Sequence, residues 1–308
     1  MKLDNVLVLG GSGFVGRHLV AALAARGIQL TVPSRRRERA KHLLPLPTVD
    51  LVETDIMAPG VLEALARGKQ AVINLVGILH GDFERMHAEL PRRVVAACRS
   101  GGVGRLLHMS ALGASSSAPS DYLRTKAMGE QAALAAADLA VTAFRPSVIF
   151  GPEDAFLNTF AALARRFPVL PIACPQARFQ PVYVADVAHV MSRALDDLST
   201  HGKTYELCGP RQYTLKELVE LVCEMTGRHR TVIGLSDRLS YWQAVIMEKL
   251  PGKLITRDNL RSMQVPNVCA GAFPFGIRPQ ALEAAAPAYL APAGPRERYP
   301  RLRWRARR

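Results

Sequence analysis

Cysteine is scarce in this 308-residue chain, which has five, at positions 98, 174, 208, 223 and 269. An odd number with no CxxC pair speaks against a disulfide framework or a zinc site, and the reading is five buried free thiols. Long apolar runs are missing too: the longest stretches, such as Leu139 to Phe144, fall well short of the roughly 20 residues that span a bilayer. No charged-then-apolar leader precedes the first apolar segment, so a cytoplasmic location is expected. Acidic residues are few beside basic ones, 26 against 40, giving a net charge of +14. That charge is uneven. Residues 296–308 carry seven arginines against Glu297, which is +6 and leaves +8 for the rest. With Tyr299, Leu302 and Trp304 between the arginines, this basic tail (residues 291–308) reads as a segment for an anionic membrane surface, peripheral at the inner face of the membrane. The alternatives are a solvated terminus and, on charge alone, a nucleic-acid contact.

What is present is ample core-forming material. A hydrophobic content of 49% over this length supports one large domain, or one domain plus a lobe. Short apolar runs at Asn5–Leu9, Gln29–Val32, Val49–Thr54, Ala71–Val76, Arg105–Met109 and Val141–Arg145 alternate with helical patterns. Such alternation predicts an α/β fold of the Rossmann type, a doubly wound parallel sheet. The division expected is a dinucleotide-binding domain over 1–150 and a smaller α/β lobe over 151–290, interleaved with it. Helices near Thr214–Thr226 and Asp237–Leu250 would build the lobe, and a substrate would sit in the cleft between the two units.

The first strand runs at once into Gly10-Gly-Ser-Gly13-Phe14-Val15-Gly16. Gly10 permits a tight turn, Gly13 lets backbone N–H groups approach a pyrophosphate, and Gly16 allows close helix packing. The helix that follows, about Phe14 to Arg26, places Val15, Leu19, Val20 and Leu23 on one face. Its N-terminal dipole favours phosphate.

The second strand ends in Ser34-Arg35-Arg36-Arg37 with no acid before Glu38. A carboxylate there would bind the ribose hydroxyl of NAD(H), whereas arginines accommodate a 2′-phosphate. NADP(H) is therefore expected over NAD(H), with Ser34, Arg35 and Arg36 at the phosphate. Asp55, followed by Ile56, either meets the adenine amino group or caps a helix ahead of Pro59.

Ser120-Asp-Tyr122-Leu-Arg-Thr-Lys126 opens a long helical run, and the four-residue spacing puts Tyr122 and Lys126 on one face. A cationic lysine near a phenol lowers the phenol's pKa, making Tyr122 a candidate general acid/base. Here the chain resembles the short-chain dehydrogenase/reductase superfamily, in its extended or atypical branch, whose YxxxK motif matches Tyr122 to Lys126. Gly10 to Gly16, Asn74-Leu-Val-Gly77, His108-Met-Ser110-Ala, Tyr122 to Glu130, Arg145 to Asp154, Phe156-Leu-Asn158 and Gln180 to Val187 together resemble the complex I alpha-subcomplex subunit 9 family. That family comprises the NADPH-binding accessory subunit of mitochondrial respiratory complex I and its bacterial relatives.

The resemblance implies tight NADPH binding, with Val76, Gly77, Ser110, Tyr122, Lys126, Pro146 and Val148 joining the glycine-loop and arginine residues around the cofactor. It implies a respiratory-complex partner, or a carbonyl or quinone substrate. It also implies slow or absent turnover. Active extended members carry a second Ser or Thr just after the first serine, but Ser110 is followed by Ala111 and Leu112. Loss of one such donor costs about 10² to 10³ in rate. Ser115, Ser116 and Ser117 are the nearest substitutes. The alternative is an active reductase or a nucleotide-sugar epimerase or dehydratase using Ser110, Tyr122 and Lys126. Asp186 reads as a capping or lobe-docking residue, Trp242 as packing, and His80, His87 and His108, which lack metal-ligand spacing, as surface or core histidines.

Overall fold

A computed structural model describes residues 3–249 and 254–291. The arginine-rich stretch and Leu250 lie outside the described residues. Six parallel strands, β1 (Asn5–Leu9), β2 (Gln29–Ser34), β3 (Val49–Glu53), β4 (Ala71–Asn74), β5 (Arg105–Met109) and β6 (Ala140–Pro146), coincide with the six apolar runs to within two residues at each end. A seventh, Lys203–Leu207, carries no comparable apolar run. It pairs in parallel with β6, giving the order Lys203–Leu207, β6, β5, β4, β1, β2, β3. The sheet therefore takes its outermost strand from beyond residue 150.

Burial explains the strand sequences. Val6, Leu7, Val8 and Leu9 of β1 are all buried because helices cover both faces of this central strand. Edge strand β3 buries only Leu51. Helix α1 (Phe14–Ala25) turns Gly16, Leu19, Val20 and Leu23 inward, with Val15 packed partly against the same core. On the opposite face lie α2 (Val61–Ala66), α3 (Leu90–Gly101) and α4 (Asp121–Leu134), around a second core that includes Leu7, Leu9, Val94 and Cys98.

A separate core, built on Phe150, Leu157, Phe179, Leu218, Val219 and Val222, forms the smaller lobe around α5 (Phe156–Arg166), and α6 (Val184–Ala194) returns from it to pack on α1. Asp186 on α6 is buried and accepts the Gln280 N–H at 2.7 Å, so it docks the C-terminal segment. The lobe continues through α7 (Leu215–Met225), α8 (Asp237–Met247) and α9 (Arg257–Ser262). On α8 the inward residues are Ser240 and Ala244, which leaves Trp242 59% exposed rather than packed.

The expectation for cysteine is corrected. Cys208, just past the Lys203–Leu207 strand, is bonded to Cys269, 61 residues later in sequence. The fold brings their Cα atoms to 6.0 Å, a proximity created by tertiary packing and invisible in the spacing. Cys98 and Cys223 are buried free thiols, while Cys174 is only half-buried.

Candidate functional site

Strand order reverses between β1 and β4, and ligands of open α/β sheets bind at the carboxyl ends of the strands flanking such a switch point. The glycine loop lies there. Gly10 has φ +78°, and a Cβ on it would lie 3.2 Å from the backbone of Leu75 and Val76 at the β4 exit. A Cβ on Gly16 would fall 2.3 Å from the Gly10 carbonyl, so Gly16 seats α1 on its own loop. Gly13, at the exposed tip, is the N-cap of α1 and has no side chain to cap the helix. The Gly13 carbonyl takes its first helical bond from Arg17 N–H at 3.0 Å. The amides of Phe14, Val15 and Gly16 precede that bond and have no helical acceptor. This is an anion cradle of backbone donors, and it fits a pyrophosphate.

The remaining adenine-side residues follow along the sheet. Ser34 ends β2, with its hydroxyl donating to the Arg36 carbonyl at 3.1 Å, and Arg35 and Arg36 stand exposed beyond it. Asp55 accepts the Met57 N–H at 3.0 Å and caps a tight turn. The N-cap of α2 is Gly60, so Asp55 does not start that helix, and Ile56 is half-buried against the α2–α3 core.

The opposite wall is built by α4. Ser120 Oγ accepts the Leu123 N–H at 3.2 Å, while the Asp258 carboxylate accepts the N–H groups of Asp121 and Tyr122 at 2.7 and 3.1 Å. All three free amides of the first turn are thus satisfied, which fixes the turn that carries Tyr122. Lys126, one turn on, is 4% exposed, and its Nζ donates to Met109 O at 3.3 Å and Val76 O at 3.5 Å. Gly77 lies close beside it: a Cβ there would stand 3.0 Å from Nζ. Ser110 follows β5 and is buried, and its Oγ has no hydrogen-bond partner. An orphaned buried hydroxyl just beyond the carboxyl end of β5 fits a polar ligand group. Pro146 accepts the Leu112 N–H at 3.0 Å, and Val148 N–H donates to Asn267 Oδ1 at 3.1 Å, so both sit at the carboxyl end of β6.

One sequence expectation fails here. Tyr122 is not acidified: desolvation pushes its phenol up to about 12. Burial acts instead on the lysine, whose ammonium is pulled down to about 8 with no carboxylate bonded to it. Ser115, Ser116 and Ser117 are exposed, and the Ser115 and Ser117 hydroxyls bond each other at 3.0 Å. The residues that directly follow Ser110 are the buried Ala111 and Leu112, which carry no hydroxyl.

Other site residues emerge only in three dimensions. His87 and His108 are both buried, and burial pulls each imidazole down to about 3. Asn267 accepts from Ser147 Oγ at 2.6 Å and from Val148 N, which ties the segment after α9 to the end of β6. Val265 of the same segment packs with Tyr122, Ala111 and Leu123. Residues 256–269 therefore form a strap over this end of the cleft, anchored by Asp258 at one end and by the Cys269 disulfide at the other. In the sequence His87 reads as a surface or core histidine, and the fold makes it a core one; Asp258 and Asn267 carried no local signal.

Comparison with known proteins agrees with this geometry. The profile of the NAD dependent epimerase/dehydratase family matches residues 6–208. The chain is 32% identical to the mouse mitochondrial NADH dehydrogenase [ubiquinone] 1 alpha subcomplex subunit 9, over 90% of this chain and 77% of the mouse protein. The Arabidopsis thaliana protein of the same name is 38% identical over 71% of this chain, a match spanning 57% of its own length. A ceramide reductase of Caulobacter vibrioides is 34% identical over 59% of this chain and 58% of its own length. Among solved structures, a dTDP-glucose 4,6-dehydratase from Streptomyces venezuelae shares the fold at a TM-score of 0.68 and 21% identity, covering 78% of this chain and 86% of that one. The chain belongs to the NAD dependent epimerase/dehydratase family, within the extended short-chain dehydrogenase/reductase superfamily.

Proposed function

We propose that this protein is an NADP(H)-binding accessory factor of the extended short-chain dehydrogenase type, serving respiratory complex I or quinone metabolism with little or no turnover. The observation that carries the reading is the half-furnished catalytic wall. Tyr122, Lys126 and Ser110 would supply the catalytic groups, but the buried Ala111 and Leu112 follow Ser110 where a second hydroxyl would polarise a substrate carbonyl. The names of the mouse and Arabidopsis relatives support the respiratory partner. Arg35 and Arg36, exposed where β2 ends, support the 2′-phosphate form of the cofactor. Stoichiometric NADPH released from the purified protein would sustain the proposal. Empty protein that binds NADPH no better than NADH would end it.

A second reading is favoured by the unpartnered Ser110 Oγ, a buried donor available to a substrate oxygen, and by the ceramide reductase relative. In this reading the protein reduces a carbonyl or quinone; the nicotinamide supplies the hydride, Tyr122 the proton, and Lys126 holds the ribose. NADPH consumption against a carbonyl and quinone panel, abolished in Tyr122→Phe, is its test. The arginine-rich segment is proposed to rest on anionic lipid at the inner membrane face; equal liposome binding by a chain ending before Arg296 would remove that part.

A further inference from the structure

His87 lies on a π-helical turn, Glu84–Glu89, that leads into α3. Such turns insert one extra residue and re-aim the side chains they carry. Here the imidazole is aimed between the two walls of the candidate nicotinamide side. Its Nε2 accepts the Ile78 N–H at 3.0 Å, in the segment leaving β4 whose Val76 carbonyl also receives Lys126 Nζ. Nδ1 lies 3.3 Å from Thr125 Oγ1, on the α4 turn between Tyr122 and Lys126. The Thr125 hydroxyl spends its proton on the Asp121 carbonyl at 2.8 Å, so Nδ1 must be the donor in that contact. One ring nitrogen accepting and the other donating defines a neutral imidazole in a single tautomer. The ring stacks on Phe83 at 5.4 Å and meets the Tyr122 ring edge-on, also at 5.4 Å. Gly129 makes the approach possible, because a Cβ there would fall 2.0 Å from the His87 carbonyl.

We propose that His87 is a positioning residue: its neutral imidazole clamps the β4 exit to the Tyr122–Lys126 turn and holds the Tyr122 ring in one orientation against the nicotinamide side. The inference deepens the dinucleotide reading and rests on it for the role of Tyr122. It does not require the protein to turn over. Protonation of Nε2 would break the bond to Ile78. Burial opposes that, as does the charge of Lys126. Among the groups with which the ring interacts, Lys126 and His108 bear basic nitrogens, while Phe83, Tyr122 and Thr125 supply neutral contacts.

The test compares the full-length protein with His87→Gln, which can accept from Ile78 and donate to Thr125, with His87→Leu, which can do neither, and with Thr125→Val, which removes the Nδ1 acceptor together with the hydroxyl bond to the Asp121 carbonyl. Binding of NADPH is measured beside binding of 2′-phospho-ADP-ribose, which lacks the nicotinamide. His87→Leu is expected to lose about tenfold for NADPH, the equivalent of one good hydrogen bond, and to keep the shorter ligand within about twofold. His87→Gln is expected to restore NADPH binding. In parallel, fluorine NMR of 3-fluorotyrosine protein, with the Tyr122 signal assigned by Tyr122→Phe, is expected to give one sharp line in wild type and His87→Gln, and split or broadened lines in His87→Leu and Thr125→Val. Unchanged NADPH affinity and Tyr122 line in His87→Leu would overturn the proposal, as would equal damage in His87→Gln. If wild type binds neither nucleotide, the dinucleotide reading falls, and the ligand-free fluorine spectra alone decide whether His87 fixes Tyr122. If His87→Leu does not fold, Thr125→Val carries the same comparison.

Discussion

Asp258 accepts the backbone N–H of Tyr122 at 3.1 Å, and through this bond a residue 136 positions away holds the first turn of the helix that carries the site. The same carboxylate takes the Asp121 N–H, so it also places a negative charge at the positive end of α4. Asp258→Ala should cost about 1 kcal/mol of stability, as loss of a helix cap does. It should also weaken NADPH binding, because Tyr122 loses its anchor. Urea denaturation and calorimetric titration check the two effects; a stability loss without any affinity loss would mean that the strap does not position Tyr122.

The two buried histidines set a direction for pH. The unfolded chain protonates His87 and His108 near the ordinary value of 6.5, whereas the folded chain resists until about 3. The unfolded state therefore holds more protons through this window, and stability falls as pH drops from about 6.5 toward 3. The slope approaches about 1.4 kcal/mol per pH unit for each histidine. Denaturation midpoints measured between pH 7 and 4 should decline, and the decline should flatten in His108→Gln.

Lys126 predicts the opposite balance between stability and function. Its ammonium is buried, bonded only to two carbonyls, and pulled down from 10.5 to about 8. At pH 7 the folded chain carries this charge at a cost the unfolded chain does not bear. Lys126→Met should raise the stability of the ligand-free protein by on the order of 2 kcal/mol. NADPH binding should fall sharply in the same variant. A destabilised Lys126→Met protein would show that the two carbonyl bonds outweigh the desolvation.

What the sequence revealed and what it withheld divide along contact distance. The glycine loop, the strand alternation and the Tyr122–Lys126 spacing are local patterns, set within a few residues, and each is visible as a period or a motif. The Lys203–Leu207 strand was missed because only Leu207 of it is fully buried, as suits a sheet edge. The Cys208–Cys269 bond, the Asp258 cap and the Asn267 clamp join residues 61 to 137 apart, and no spacing rule encodes them. The Tyr122 phenol was misjudged for a related reason. Helical spacing assigns a face, but the sign of a pKa shift depends on how dry that face becomes, and here burial alone raises the phenol.

Arg35 and Arg36 give the sharpest test of cofactor choice. Both are exposed at the end of β2, and the nearest acid along the chain, Glu38, is paired with Lys41. In the proposed NADP(H) reading the 2′-phosphate lies beside two guanidinium groups able to bind it through charge-assisted hydrogen bonds, each worth about 1.5 to 3 kcal/mol. Replacing both with alanine should lower NADPH affinity by about ten- to a hundredfold and leave NADH affinity nearly unchanged, because NADH has no 2′-phosphate to lose. Raising the salt concentration should weaken NADPH binding by wild type more than by the double variant, since the lost contacts are ionic and solvent-facing. Parallel titrations with the two nucleotides at two salt concentrations make the check. An equal loss for NADH would assign the arginines to the shared adenosine and pyrophosphate, and would remove the basis for NADP(H) selectivity.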